Sequence, residues 1–328
     1  MSELLDGPWW IGFFWGTGLL AAVGAVVSLF FSLGRRPPAV RATATPPVDA
    51  PEFLDAAAGL VNSVPDRGGT VRLLNNGEQA FPALLADIRA AKHTVNWLAY
   101  IWEPGRCSDM VFAALVERAR AGVQVRVLLD AVGGMRCPDE GKDELRAAGG
   151  TVATFRPLRL GMLTRFYKRN HRRAIVIDGA VGYTGGMAVG DKWLGEARGP
   201  EEWRDTMVRT TGCLARDLQS HFAEDWAAVT GEILVGEGFY PRCEPGGEDG
   251  GVRHTAVASS PGAEQHPMRY FFLLSFLAAR RTLYVASPYF VPDRHTREAV
   301  ASLARQGVDV RILLPNHHTD AKPIRMAS

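Results

Sequence analysis

The sequence predicts an α/β fold with largely parallel sheets, preceded by one helix long enough to cross a membrane. Three observations predict it. A strand–helix–strand pattern occurs twice, at 94–129 and 282–314. A stretch of 25 residues near the N-terminus carries no charge. The chain as a whole has the balance of a globular protein, with 47% hydrophobic and 22% charged residues. That balance excludes a disordered chain, a fibrous repeat and a polytopic membrane protein. With 328 residues there is room for two domains of ordinary size.

The first element is 9–33, WWIGFFWGTGLLAAVGAVVSLFFSL. As a helix it spans roughly 37 Å at ~1.5 Å per residue, against a hydrocarbon core of ~30 Å. Trp9, Trp10 and Trp15 suit a membrane interface. A cleaved signal peptide would have a basic lead and a shorter apolar run, whereas Glu3 and Asp6 precede this one and Arg35-Arg36 follow it. The excess of Arg35, Arg36 and Arg41 on the C-terminal flank places that side in the cytoplasm. A single-pass protein of the cell inner membrane is therefore expected, with its soluble part cytoplasmic. Residues 34–69 are a proline-rich linker and lead-in, with five prolines in 35–51.

Residues 70–235 are expected to form a first domain. Six glycines and two prolines in 236–251 mark 236–253 as a linker, and 254–328 as a partial second domain. The two domains share a pattern. Thr94 pairs with Thr282 at an offset of 188, and Gly122 with Gly307 at an offset of 185, as do 125–129 with 310–314. Each copy reads as apolar strand, loop, amphipathic helix (111–121; 296–306), glycine and strand. Strand–helix–strand units imply right-handed crossovers and parallel strands. A duplication should repeat, after Leu314, the long segment that comes after Leu129. Only fourteen residues remain there, so the second copy is expected to be incomplete.

Four cysteines (Cys107, Cys137, Cys213, Cys243) lie far apart, without a C-x-x-C pair or histidine at ligand spacing. They are expected as reduced, mostly buried thiols in a cytoplasmic domain, with no zinc site and no disulfide framework.

The chemistry concentrates in 168–192, KRNHRRAIVIDGAVGYTGGMAVGDK. Residues 174–177 read as a short β-branched strand, and Asp178-Gly179 as a turn. Side chains at i and i+2 of a strand share a face, which brings His171 and Arg173 together. Asp178, at an odd offset from both, is expected to orient or charge-balance its neighbours. Phosphoryl transfer needs a nucleophile or base and fixed positive charge for the equatorial oxygens. Imidazole with an adjacent cation meets both needs without a metal. Net charge is only +2, but 156–173 holds seven Lys or Arg and no acid. Such a field draws in an anionic head group or an anionic bilayer; alone, it reads equally as a solvated basic face.

On these residues the chain resembles the phospholipase D superfamily, and within it the bacterial cardiolipin synthase-like branch. The family motif is His-x-Lys-x4-Asp followed by x6-Gly-[Gly/Ser]-x-Asn, present twice. Here it reads His171-Arg172-Arg173, Asp178, then Gly185-Gly186-Met187-Ala188. The likeness continues through 203–226, with Trp203 and Asp205, and through SPYFVPD at 287–293. The resemblance implies an α-β-α sandwich of two pseudo-twofold-related halves, the second incomplete here. It implies His171 as the nucleophile that forms a phosphohistidine, Arg173 as the cation for the phosphorane oxygens, and Asp178 as the residue that holds the network. Gly185, Gly186, Arg172 and Lys168 are the implied phosphate and substrate contacts. No metal and no cofactor are implied. The implied substrates are phospholipids, above all phosphatidylglycerol, met at the membrane; nucleic acid is not expected.

Three departures bear on activity. Arg173 stands for the motif's lysine and Ala188 for its asparagine, which removes a donor. The second motif would fall at about position 356, beyond residue 328. His317-His318 and Asp320 do not have its spacing and read as loop residues. The chain alone is thus expected to be inactive, unless a homodimer pairs two copies of His171. A hydrolase of the same family and an inactive membrane-tethered scaffold are the competing readings.

Overall fold

The computed structural model describes residues 9–33, 42, 44–157, 169–243, 250–259 and 267–314. Arg35, Arg36, Arg41, Lys168, His317, His318 and Asp320 lie outside them. The chain divides into two compact units, Thr45–Leu283 and Met1–Ala44 with Tyr284–Ser328.

Among its described residues the larger unit holds nine strands: β1 (Asp66–Gly68), β2 (Val71–Asn75), β3 (Thr94–Ala99), β4 (Gln124–Asp130), β5 (Thr151–Phe155), β6 (Ala174–Ile177), β7 (Val181–Gly185), β8 (Thr206–Thr211) and β9 (Val252–His254). Its described helices are α2 (Pro51–Leu60), α3 (Asn76–Ala90), α4 (Arg106–Arg120), α5 (Asp139–Ala147), α6 (Cys213–Thr230) and α7 (Pro267–Ala278). Seven strands form one sheet in the order β2-β8-β7-β6-β3-β4-β5, and β1 pairs with β9. The glycine-rich segment expected as a linker therefore leads into a strand of this same unit.

The sheet is mixed, which corrects the expectation of largely parallel strands. Only β3·β4 and β4·β5 are parallel, because α4 and α5 return the chain to the same edge before each new strand. β6 enters from the opposite edge and pairs antiparallel with β3. Asp178 and Gly179, both at positive φ, then turn the chain back into β7. Strand alternation sends side chains to two helical layers. Val95, Trp97, Val127 and Leu129 pack with Phe81, Leu84, Ile88 and Leu115 of α3 and α4. Leu98, Leu128 and Val176 pack with Phe222 and Trp226 of α6. The result is an α-β-α sandwich, each fully buried Leu or Phe contributing roughly 1.5–3 kcal/mol.

Cys213 and Cys243 are joined as a disulfide across a Cα–Cα distance of 5.4 Å. This corrects the expectation of four reduced thiols. The chain after α6 folds back along that helix, a return that a spacing of 30 residues does not announce. Cys107 and Cys137 are free and buried, and burial pushes both thiols up to about 12.

In the smaller unit, α1 (Trp9–Leu33) is a helix of 25 residues whose described apolar side chains, Phe13 to Val27, are exposed. Among the described residues no helix is long and apolar enough to cross a membrane; side chains at both ends of α1 lie outside that description. β10 (Thr282–Ala286), which straddles the boundary, forms a two-stranded sheet with β11 (Asp309–Leu313), and α8 (Arg294–Arg305) connects them.

Candidate active site

The mixed sheet brings the ends of β3, β4, β5 and β7 and the starts of β6 and β8 to one edge. In α/β sheets this carboxyl edge of the parallel strands is where ligands bind. His171 to Arg173 arrive there as an irregular lead-in immediately before β6, so they are not on the strand whose alternation was expected to pair them. His171 is exposed as a residue, but one face of its ring lies on Tyr100, just past β3, with centroids 3.8 Å apart and planes 27° from parallel. Partial burial lowers the imidazole pKa from its ordinary 6.5; Arg173 pushes the same way and Asp130 opposes it. The ring is therefore neutral at neutral pH, the form that can act as a nucleophile.

Arg173 shares an apolar cavity beneath this edge with Tyr100, Trp97, Met187, Ala188 and Met207. Its backbone carbonyl accepts from Thr184 Oγ1 at 2.8 Å, which ties the lead-in to β7. His171 and Arg173 are thus brought together, with Ala188 in the same neighbourhood.

Asp178 is not part of this group. It sits at the other end of β6, where its carboxylate accepts the backbone N–H groups of Lys92, His93 and Thr94 at 2.7–2.8 Å. It anchors the start of β3 and does not charge-balance His171. Arg172 also turns away. Its guanidinium donates to Glu224 at 2.8 Å, Asp225 at 3.3 Å and the Ser259 carbonyl at 3.2 Å. Gly185 and Gly186 have a packing reason: a Cβ would lie 2.5 Å from the Thr206 carbonyl at Gly185 and 2.3 Å from Asp205 Oδ1 at Gly186. Asp205 in turn accepts from its neighbour Thr206 N–H at 2.7 Å and from Trp193 Nε1 at 3.3 Å. Trp203 stacks edge-on to Trp193 with Lys192 4.1 Å above its ring.

Tyr100, Asp130 and Asn170 are site residues that the motif alone does not single out. Asn170 adjoins the motif histidine, and Asp130 closes a strand on a charge, the kind of polar strand end that could have flagged it. Asn170 donates from its side chain to Asp225 at 2.8 Å and accepts the Arg172 N–H at 3.0 Å, so α6 supports the lead-in from below. Burial holds the Asp225 carboxyl above the ordinary carboxylate range, with Asn170 and Arg172 opposing. Among the described residues no group of three or more His, Cys, Asp or Glu is placed to hold a metal ion.

The family model described as cardiolipin synthase, PLD-like domain matches residues 84–226, which include every residue of this edge from Trp97 to Asp225. The cardiolipin synthase of Geobacillus kaustophilus (strain HTA426) is 37% identical over 259 residues, covering 78% of this chain and 51% of that protein. That of Geobacillus thermodenitrificans (strain NG80-2) is 37% identical over 258 residues, with the same 78% and 51% shares. The chain spans about half the length of the curated relatives it matches. Among solved structures, phosphatidylserine synthase of Haemophilus influenzae Rd KW20 shares the fold, with a TM-score of 0.56 at 15% identity over 83% of this chain and 70% of that one. The chain belongs to the phospholipase D superfamily, as a cardiolipin synthase-like member.

Proposed function

We propose that this chain takes part in phosphatidyl transfer between phospholipids, with phosphatidylglycerol as donor and acceptor and His171 as the nucleophile. The observation that carries this reading is His171 stacked on Tyr100, two residues from Arg173, on the carboxyl edge of the sheet. In the first step a ring nitrogen attacks phosphorus and a phosphohistidine forms. The bond to the head-group glycerol breaks, and that oxygen takes a proton from a general acid. In the second step a hydroxyl of another phosphatidylglycerol loses its proton to the same group and attacks phosphorus, which frees His171. Arg173 stabilises the charge on the equatorial oxygens. The general acid is a second histidine, supplied by a second copy of the chain or by a segment equivalent to the rest of the longer relatives.

Labelled phosphatidylglycerol tests this directly. Cardiolipin and free glycerol are the expected products, lost in His171→Ala. Phosphatidate in their place would make water the acceptor and the protein a hydrolase. If turnover by the chain alone falls away on dilution, the second histidine comes from a second copy.

We also propose that α1 anchors the protein, since its whole length carries no charge and suits a substrate that stays in the bilayer. The basic flank at Arg35 and Arg36 favours a cytoplasmic soluble part. The Cys213–Cys243 disulfide favours the opposite face, because disulfides persist in oxidising compartments. Alkaline phosphatase fused after Ser328 decides: an inactive reporter is expected, and strong activity reverses the orientation.

A further inference from the structure

We infer that Asp130 is the positioning residue that holds the His171–Tyr100 stack in place. Its catalytic consequence rests on the phosphohistidine reading above; its geometry does not. Asp130 is the last residue of β4 and only 1% exposed. A carboxylate buried this far is costly unless its oxygens are saturated. Its partners do that. Oδ2 accepts the N–H of Asn170, the residue before His171, at 2.9 Å. Oδ1 accepts the N–H groups of Val132 at 2.8 Å and Gly133 at 3.2 Å, and Arg169 Nη1 lies 3.9 Å away.

These contacts join the two pieces of chain that carry the stacked rings. Asn170 delivers His171. Gly133 lies against the backbone of Tyr100, so closely that a Cβ there would be 2.2 Å from the Tyr100 carbonyl oxygen. The Gly133 carbonyl also accepts the Trp102 N–H at 3.3 Å. One buried carboxylate therefore clamps the histidine's segment and the tyrosine's support at once. It is also the negative charge that faces the imidazole. Arg173, on the imidazole's own segment, is the opposing positive one.

Asp130→Asn keeps the shape but loses an acceptor for one of three N–H groups, and it removes the charge. Without that charge the imidazolium is less favoured, so the His171 titration should move to lower pH. Misplacement of a nucleophile lowers kcat by about 100-fold, with KM changed less than ~3-fold.

The experiment uses the full chain in detergent with 15N-labelled histidine, the His171 signal being identified by its loss in His171→Ala. In Asp130→Asn the expected result is a lower His171 titration midpoint and loss of the ring-current shift from Tyr100. An unchanged midpoint and unchanged shifts in a folded Asp130→Asn protein overturn the inference. If both move while the wild type never turns over phosphatidylglycerol, the proposed function fails and the positioning role stands. Should Asp130→Asn not fold, hydrogen exchange at the Asn170 amide of the wild type is the reading. Slow exchange supports the clamp, and exchange at the free-peptide rate overturns it.

Discussion

β3–α4–β4 and β10–α8–β11 share a sequence pattern and much of their local geometry, yet their surroundings differ. Both helices end alike. Gly122 and Gly307 have φ of +86° and +90°, and the next N–H in each reaches back to Arg118 and Leu303 at 3.0 and 3.1 Å. The starts differ. α8 is capped locally by Asp293, which accepts the Thr296 N–H at 2.8 Å. The matching position before α4 is Gly105, and the cap is Asp191, far away in sequence, whose carboxylate accepts the N–H groups of Arg106, 85 residues before it, and Cys107 at 3.1 and 2.8 Å. A Cβ at residue 105 would lie 2.5 Å from that carboxylate, so glycine makes room for it. The strands differ most. Every residue of β3 is buried, whereas β10 and β11 alternate or lie open. A local pattern is enough to specify the turn and the cap; burial depends on which strands lie alongside.

The largest expected difference between the two units is functional. His171→Ala should lower phosphatidyl transfer by at least ~10²–10⁴-fold, and His318→Ala should leave it within twofold. Because the His171 pKa lies below 6.5, the acid limb of kcat/KM should also fall below pH 6.5, where protonation removes the nucleophile. An acid limb above that pH would assign it to another group.

Stability comes next. Leu128→Ala, at a fully buried position of β4, should cost about 2–5 kcal/mol. Its counterpart Leu313→Ala, at 71% exposure, should cost less than ~0.5 kcal/mol. Hydrogen exchange of each strand's own amides reads the two separately, and equal losses would mean that β11 is covered in solution. For the caps, Asp191→Ala should destabilise by about 1–2 kcal/mol and Asp293→Ala by about 1 kcal/mol, with fraying of the first helical turn in each. The smallest contrast is between the glycines. No neighbour would meet a Cβ at Gly122 or Gly307, so Ala at either should cost the same ~1–2 kcal/mol, the strain of positive φ alone. Unequal costs in thermal unfolding would show that the two turns are not equivalent.

The same division explains what was legible beforehand. β6 matched its predicted span of 174–177, and the Asp178-Gly179 turn came directly after it, because both are written in adjacent residues. The repeated glycine turns were legible for the same reason. The direction of β6, the disulfide, the Asp191 cap and the Asp130 clamp each depend on chain segments at least 30 residues apart. Arg172 shows the limit within the site. Its place between His171 and Arg173 suggested a phosphate contact, but Glu224 and Asp225 of α6 take its guanidinium, and no spacing in the motif announces them.

The Cys213–Cys243 bond makes α6 and the chain after it into a covalent ring. A protease that cuts once anywhere between 214 and 242 opens that ring without releasing a piece. On a gel without reductant the nicked protein would run near its full mass of 35.7 kDa, and two fragments would separate only once reductant is added. The nick would leave Trp226 and Phe222 attached to the sheet they cover, so digestion under non-reducing conditions would understate how often this stretch is reached.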